Sequence, residues 1–248
     1  MTFIHAKGEI EALIALLQEI KKNGKHVNNY LEKTDLLLKI SYRKEEWERF
    51  VNFKKKYFDI TNPVGELGWK KATTVYTKTT DRPVKPSYRK RLVAYPDQPK
   101  RPKTTDNINQ IKKITSLLAS KPGYSNLSFV FLRPADLYDQ FRPGYVPCPI
   151  AGDVKFRHGK LNLSIMFRTN NALTVGYADL FYLRELQKEI FEKAKMQTSA
   201  QRLLDGELGS ISIFFCRSFI EKRINQNQNG LILAQALIDE LNNLSLNK

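Results

Sequence analysis

The sequence predicts an α+β fold, and three observations carry that expectation. Apolar residues recur at helical spacing in several segments, a two-residue alternation marks a strand, and helices and strands follow one another without a regular βαβ rhythm. With 248 residues and 42% hydrophobic content, the chain can bury a full core. One domain over residues 1–248 is expected.

Ile10, Leu13, Ile14, Leu17 and Ile20 fall on one face of a first helix, which Asn23-Gly24 closes. A second helix is expected from Lys44 to Phe58, with Asn62-Pro63 and Gly65 marking the turn that follows. From about 73 to 103, prolines at 83, 86, 96, 99 and 102 predict a basic, loop-rich region. Asn107 to Leu118 reads as a helix stopped by Lys121-Pro122-Gly123, and the aromatic, branched run from Asn126 to Arg133 reads as a strand. Leu161, Leu163, Ile165 and Phe167 alternate with Asn162, Ser164, Met166 and Arg168, which puts Arg168 on the face opposite the large apolar side chains. A helix over Tyr177–Lys195, a strand over Gly209–Cys216 and a C-terminal helix through Leu233, Leu237, Leu241 and Leu244 complete the chain.

The net charge of +16 favours anionic partners. The excess gathers between Lys78 and Lys103, where Lys78, Arg82, Lys85, Arg89, Lys90, Arg91, Lys100, Arg101 and Lys103 face only Asp81 and Asp97. Tyr76, Tyr88 and Tyr95 lie in or beside this run. It is either a solvated, proline-broken loop or a surface that holds nucleic acid by its backbone and stacks bases. No apolar run approaches the roughly 18 residues of a membrane span, and the N-terminus lacks a signal pattern, so a soluble cytoplasmic protein with no membrane partner is expected. Two cysteines, Cys148 and Cys216, are too few for a disulfide framework, and Cys216 reads as core. There is no phosphate loop, GxGxxG or HExxH, and His5, His26 and His158 are scattered, which argues against P-loop and zinc enzymes.

One constellation remains. Asn109-Gln110-Ile111 opens a helix, Lys121-Pro122-Gly123 makes a turn, Phe129-Val-Phe-Leu-Arg-Pro-Ala135 forms a strand, and then come Cys148, Arg168-Thr169-Asn170-Asn171 and Asp179. In order and spacing these resemble the active-site stretch of the thymidylate synthase and deoxycytidylate hydroxymethylase superfamily, over roughly Tyr88 to Phe219. The resemblance implies a thymidylate synthase-like fold, a twisted mixed sheet flanked by helices, and a homodimer formed through the uncovered sheet face. It also implies a one-carbon transfer from 5,10-methylenetetrahydrofolate to C5 of a pyrimidine nucleotide, begun by a thiolate adding to C6. Cys148 matches that nucleophile. Arg168 and Thr169 match the phosphate-binding Arg-Ser, Asn171 stands where the family's folate-linked aspartate falls, and Tyr95 is a candidate to stack the pterin. Asp179 stands where thymidylate synthases carry a uracil-reading asparagine and resembles the cytosine-type hydroxymethylases. An acidic side chain can accept from the cytosine exocyclic amine.

The family also carries a glutamate three residues before a tryptophan in an early helix. Before Trp47 that position is Lys44, so Glu46, with Glu45 as second choice, is the candidate to organise catalytic water. The chain departs from the pattern elsewhere. Phe219-Ile220-Glu221 replaces the sugar-binding His-x-Tyr, no arginine pair lies near Ser125–Ser128, Pro149 follows the cysteine, and Asp153 replaces a glutamine. Tyr88-Arg89-Lys90-Arg91-Leu92-Val93 stands for Tyr-Gly-x-Gln-Trp-Arg. Asp179 is either a helix cap or a base reader. Two functions stay open: a pyrimidine C5 hydroxymethyltransferase or methyltransferase, and a fold relative that binds nucleotide or nucleic acid through its basic surface.

Overall fold

The computed structural model describes residues 1–79, 86–95, 108–133, 136, 146–225 and 228–246. In chain order the elements are β1 (Thr2–Ala6), α1 (Glu9–Asn23), β2 (Lys25–Val27), β3 (Tyr30–Ile40), α2 (Lys44–Asn52), α3 (Lys54–Thr61), α4 (Val64–Thr77), α5 (Tyr88–Val93), α6 (Gln110–Ser120) and β4 (Ser128–Val130). They continue with β5 (Pro149–Arg157), β6 (Lys160–Phe167), β7 (Asn170–Asn171), α7 (Gly176–Lys195), α8 (Gln201–Leu204), β8 (Glu207–Glu221), β9 (Arg223–Asn225), β10 (Gln228–Asn229) and α9 (Gly230–Leu246). The fold is α+β, with a mixed sheet and flanking helices. The described residues gather in two compact units, one of Met1–Ala72, Met166–Arg184 and Ser210–Lys248, the other of Thr73–Ile165 and Glu185–Gly209.

In the first unit β1 runs parallel to β3, with Phe3 opposite Leu37, and β3 runs antiparallel to β8, with Leu37 opposite Phe214. The parallel pair needs a crossover, which α1 supplies. β2 folds back on β3 through Asn28-Asn29, with Asn28 in the left-handed region at φ 50°, a conformation asparagine tolerates in a two-residue hairpin. Ile10, Leu13 and Leu17 of α1 pack in the same core as Leu36 and Leu38 of β3, Ile213 of β8, and Leu237 and Leu241 of α9; all are fully buried. Each such side chain contributes about 1.5–3 kcal/mol.

Halfway along β3 and β8 the pleat changes phase. Leu36, Leu38 and Ile40 are buried on β3, opposite Phe215, Ile213 and Ile211 of β8, but towards the other end the buried pair is Leu31 and Ile220. The change falls at Asp35, whose φ of 54° is left-handed, and at Cys216 of β8. Continuous alternation would bury odd-numbered residues along the whole of β8. Instead Ser218 and Ile220 face inward, while Arg217 and Phe219 are half-exposed.

In the second unit β4 pairs antiparallel with β5, Phe129 opposite Gly152, and β6 lies beside β5. His158 and Gly159, at φ 51° and 73°, make the two-residue turn between β5 and β6. Leu161, Leu163, Ile165 and Phe167 are buried while Ser164, Met166 and Arg168 are exposed, as the alternation predicts.

Several boundaries differ from expectation. The segment 44–58 is two helices broken at Phe53, and α4 continues to Thr77, into the stretch expected to be loop. The first prolines of that stretch come only at 83 and 86, too late to stop it. Residues 80–85 and 96–103 of the basic region lie outside the described residues. The expected strand 126–133 keeps ladder pairing only over Ser128–Val130; beyond it the N–H groups of both Phe131 and Leu132 donate to the Ile150 carbonyl. Cys216 is half-exposed rather than core, because it sits at the phase change.

Candidate active site

Cys148 stands in the second unit, immediately before β5, and is half-buried with its thiol outside any disulfide. Its backbone N–H donates to the Tyr88 hydroxyl at 3.2 Å. Tyr88 is the first residue of α5, where Ser87 caps the helix by accepting from the Lys90 N–H. Its ring meets Tyr76 and Phe131 edge-on, with centroids 5.0 and 5.7 Å apart.

One turn on, Arg91 corrects the sequence-based expectation for the basic run: it is 1% exposed and is no part of a cationic surface. Its guanidinium donates to both carboxylate oxygens of Asp136, to the Phe131 carbonyl at 2.7 Å and to the Pro86 carbonyl at 3.1 Å. Arg133 adds its backbone N–H and two guanidinium donors to the same carboxylate. Burial pushes the Asp136 carboxyl up, but the hydrogen bonds from Arg91 and Arg133 outweigh it and hold the group below the ordinary aspartate value. Arg89 is also spoken for, donating to both oxygens of Glu189 at 2.6 and 2.8 Å. Gln110 ties α6 in by donating to the Arg91 and Val130 carbonyls.

Tyr95 closes this cluster. Its hydroxyl donates to the Leu132 carbonyl at 2.9 Å, and its backbone pairs with Ile108. Burial and the Asp136 charge push its phenol up, against Arg91 and Arg133.

Arg168, Thr169, Asn171 and Asp179 belong to the first unit. Arg168 is exposed just past the end of β6, on the side away from the core. Thr169 turns inward, and its buried Oγ1 has no hydrogen-bond partner among the described residues. Asn170 and Asn171 form β7, parallel to β8 and opposite Ser218 and Phe219. Asn171 is half-buried, and its side-chain oxygen accepts from the Thr174 N–H at 3.3 Å, shaping the turn into α7.

Asp179 lies in the first turn of α7 and is 7% exposed. Its N–H already makes the helical bond to the Val175 carbonyl at 2.8 Å. Its carboxylate accepts from the Asn170 amide at 2.7 Å, and the Asn170 carbonyl oxygen accepts from the Ser218 hydroxyl at 3.2 Å.

Glu46 sits in α2 with Arg49 donating to it at 3.1 Å, and it lies close enough to the buried Glu9 to help raise that carboxyl. Glu45 is exposed. Sequence inspection around Trp47 missed a second glutamate at the right spacing. Glu66-Leu67-Gly68-Trp69, in α4, places a glutamate three residues before a tryptophan. The signal is in the sequence but lies beyond the turn marked by Asn62-Pro63 and Gly65. Trp69 packs on Tyr177, Phe181 and Tyr182 and takes Lys54 over its ring at 4.2 Å. Gly68 lets α4 approach the loop before α7 so closely that a Cβ there would lie 1.9 Å from the Thr174 carbonyl oxygen. Glu66 itself is exposed, with Lys70 at 3.0 Å.

At the His-x-Tyr positions, Phe219 packs edge-on against Tyr30, and Arg217 lies over both rings at 4.5 and 5.0 Å while pairing with Glu32. Among the described residues no group of three His, Cys, Asp or Glu side chains could hold a metal ion, and no helix is long and apolar enough to cross a membrane. Comparison of the chain with protein-family models and with curated proteins finds no match.

Proposed function

We propose that the chain is a divergent member of the thymidylate synthase superfamily that transfers a one-carbon unit to C5 of a pyrimidine nucleotide, cytidylate-type hydroxymethylation being favoured over thymidylate synthesis. The observation that carries this reading is the order and spacing of Cys148, Arg168-Thr169 and Asp179, together with an Arg168 that is exposed and an Asp179 that is anchored.

In this mechanism the Cys148 thiolate adds to C6 of the base, which makes C5 nucleophilic. Arg168 holds the 5′-phosphate by paired charge-assisted hydrogen bonds. Asp179 accepts from the base edge. C5 would bond to the one-carbon unit, loss of the C5 proton would release tetrahydrofolate, water would add to the resulting exocyclic methylene, and expulsion of the thiolate would restore the ring, so Cys148 ends as it began. Glu66, at the family's spacing of three residues before Trp69, takes the water-organising role ahead of Glu46, which stands directly before Trp47.

The proposed donor, methylenetetrahydrofolate, supplies the one-carbon unit. Asn171 and Tyr95 spend polar atoms on Thr174 and Leu132, so the Tyr95 ring, not its hydroxyl, is the surface offered to a pterin. Phe3, Leu37 and Phe214 lie side by side in register on one sheet face, with Phe3 59% exposed, which supports a homodimer through that face.

The decisive experiment mixes wild-type and Cys148→Ala protein with 5-fluoro-dCMP, 5-fluoro-CMP or 5-fluoro-dUMP plus methylenetetrahydrofolate and looks for covalent adduct by mass spectrometry. A wild-type-only adduct is expected with a cytosine analogue; folded protein giving none would overturn the reading. The second reading, nucleic-acid binding, draws on the net charge of +16 and on Phe219 and Glu221 at the sugar-binding positions. It predicts salt-sensitive binding to a random oligonucleotide.

A further inference from the structure

We propose that Asn170, braced by Ser218, is the positioning residue that decides which pyrimidine base Asp179 accepts, holding its carboxylate as an acceptor for a 4-amino base and against a 4-carbonyl one. The inference rests on the pyrimidine reading above and adds to it a determinant that lies outside the reacting groups.

The relay is short and dry. Ser218 is fully buried, Asn170 is 2% exposed and Asp179 7%. Asn170 and Ser218 are direct partners in the parallel pair of β7 and β8, so their side chains leave the same face of the sheet. The Ser218 hydroxyl donates to the Asn170 carbonyl oxygen, and that leaves the Asn170 amide nitrogen to face Asp179, where it donates at 2.7 Å. An amide N–H can only donate, so the carboxylate oxygen it meets must accept. A bond of this kind in a buried place fixes the direction in which the carboxyl points. The first turn of α7, a helix of 20 residues, holds the backbone of Asp179 in place.

An accepting Asp179 oxygen aimed at position 4 of the base attracts the exocyclic amine of cytosine and repels the lone pairs of a uracil 4-carbonyl. A carboxyl free to turn could meet either base, and discrimination would shrink. Asn170 therefore acts on specificity by fixing the orientation of the Asp179 carboxyl, without needing to touch the base. The phase change in β3 and β8 is what makes the relay possible, because it turns Ser218 inward.

The test compares rates of covalent adduct formation with 5-fluoro-dCMP and 5-fluoro-dUMP, each with methylenetetrahydrofolate, in wild type, Asn170→Leu, Ser218→Ala and Ser218→Thr. Thermal melting scores folding separately. The wild type should prefer the cytosine analogue, and Asn170→Leu should lower the cytosine-to-uracil ratio by roughly tenfold to a hundredfold. Ser218→Ala should lower the ratio in the same direction and Ser218→Thr, which keeps the hydroxyl, should restore it. A purely structural role would lower the melting temperature and leave the ratio alone. Should Asn170→Leu not fold, the Ser218 pair decides. A folded Asn170→Leu or Ser218→Ala protein with the wild-type ratio overturns this inference alone, as does a wild type that traps only the uracil analogue. A wild type that traps neither overturns both this inference and the enzyme reading.

Discussion

Replacing Asp136 by alanine should be among the most damaging single changes in the second unit. Asp136 is buried with Arg91, and the two side chains are 0% and 1% exposed. Removing the carboxylate leaves the Arg91 guanidinium in a dry site with only the Phe131 and Pro86 carbonyls, and removes the anchor of Arg133. Breaking one side of a buried pair costs about 3–5 kcal/mol. For a chain of this length that corresponds to a fall in melting temperature of about 6–20 °C. The pH dependence has a definite sign. Because the folded carboxyl is held below its ordinary value, its contribution is present above the unfolded pKa and is lost as pH falls through the folded one. Wild type should therefore weaken on acidification below about pH 4, and Asp136→Asn should show less of that slope. The assay is thermal melting by circular dichroism from pH 3 to 7 for wild type, Asp136→Ala, Asp136→Asn and the double variant Arg91→Met/Asp136→Leu. The double variant should recover much of the loss, since no charge is left stranded. A loss under about 1 kcal/mol in Asp136→Ala, or a double variant less stable than Asp136→Ala, would refute the account of this cluster.

Three further outcomes are expected. Gly68→Ala drives a methyl group into the Thr174 carbonyl oxygen, so α4 must shift; a loss of about 1–3 kcal/mol in denaturant titration is expected, and an unchanged midpoint would show that α4 is not held there. Tyr57→Phe removes the buried hydroxyl that donates to the Leu173 carbonyl at 2.7 Å and should cost about 1–2 kcal/mol by the same assay. On the enzyme reading, Glu66→Gln should lower turnover by roughly a hundredfold or more with the melting temperature unchanged, while Glu46→Gln leaves turnover near wild type; the reverse order would return the role to α2.

The parts of the fold that were legible in the sequence are those whose pattern stays in one period. The β6 alternation from Leu161 to Arg168 and the helical spacing of α1, α7 and α9 stand as read. β3 was not legible, because Tyr30–Ile40 changes phase at Asp35 and so never shows a continuous alternation. β1 is too short, at five residues, to announce itself. At the candidate site, the sequence pointed to Cys148, Arg168 and Asp179 as a group, and the structure supplies the local partners of Cys148 and Asp179: Tyr88 for one and Asn170 for the other. Those partners could not be read from spacing, since they depend on which strands lie side by side. The buried role of Arg91 was hidden for a related reason: nothing in a run of basic residues says which one turns inward to meet a carboxylate 45 positions away.

The left-handed residue at Asp35 acts as a frame-shift in three dimensions. Downstream of it on β3, and upstream of Cys216 on β8, odd-numbered β8 residues belong to the interior; on the other side the even-numbered ones do. A β-branched residue at 35 would resist a φ of 54° and press the two strands toward a single phase. In that arrangement Phe219 would take the inward place of Ser218, and the hydroxyl that steadies Asn170 would point to the other face of the sheet. One backbone torsion, on a strand that carries none of the candidate chemistry, thus selects which letters of β8 are read by the interior.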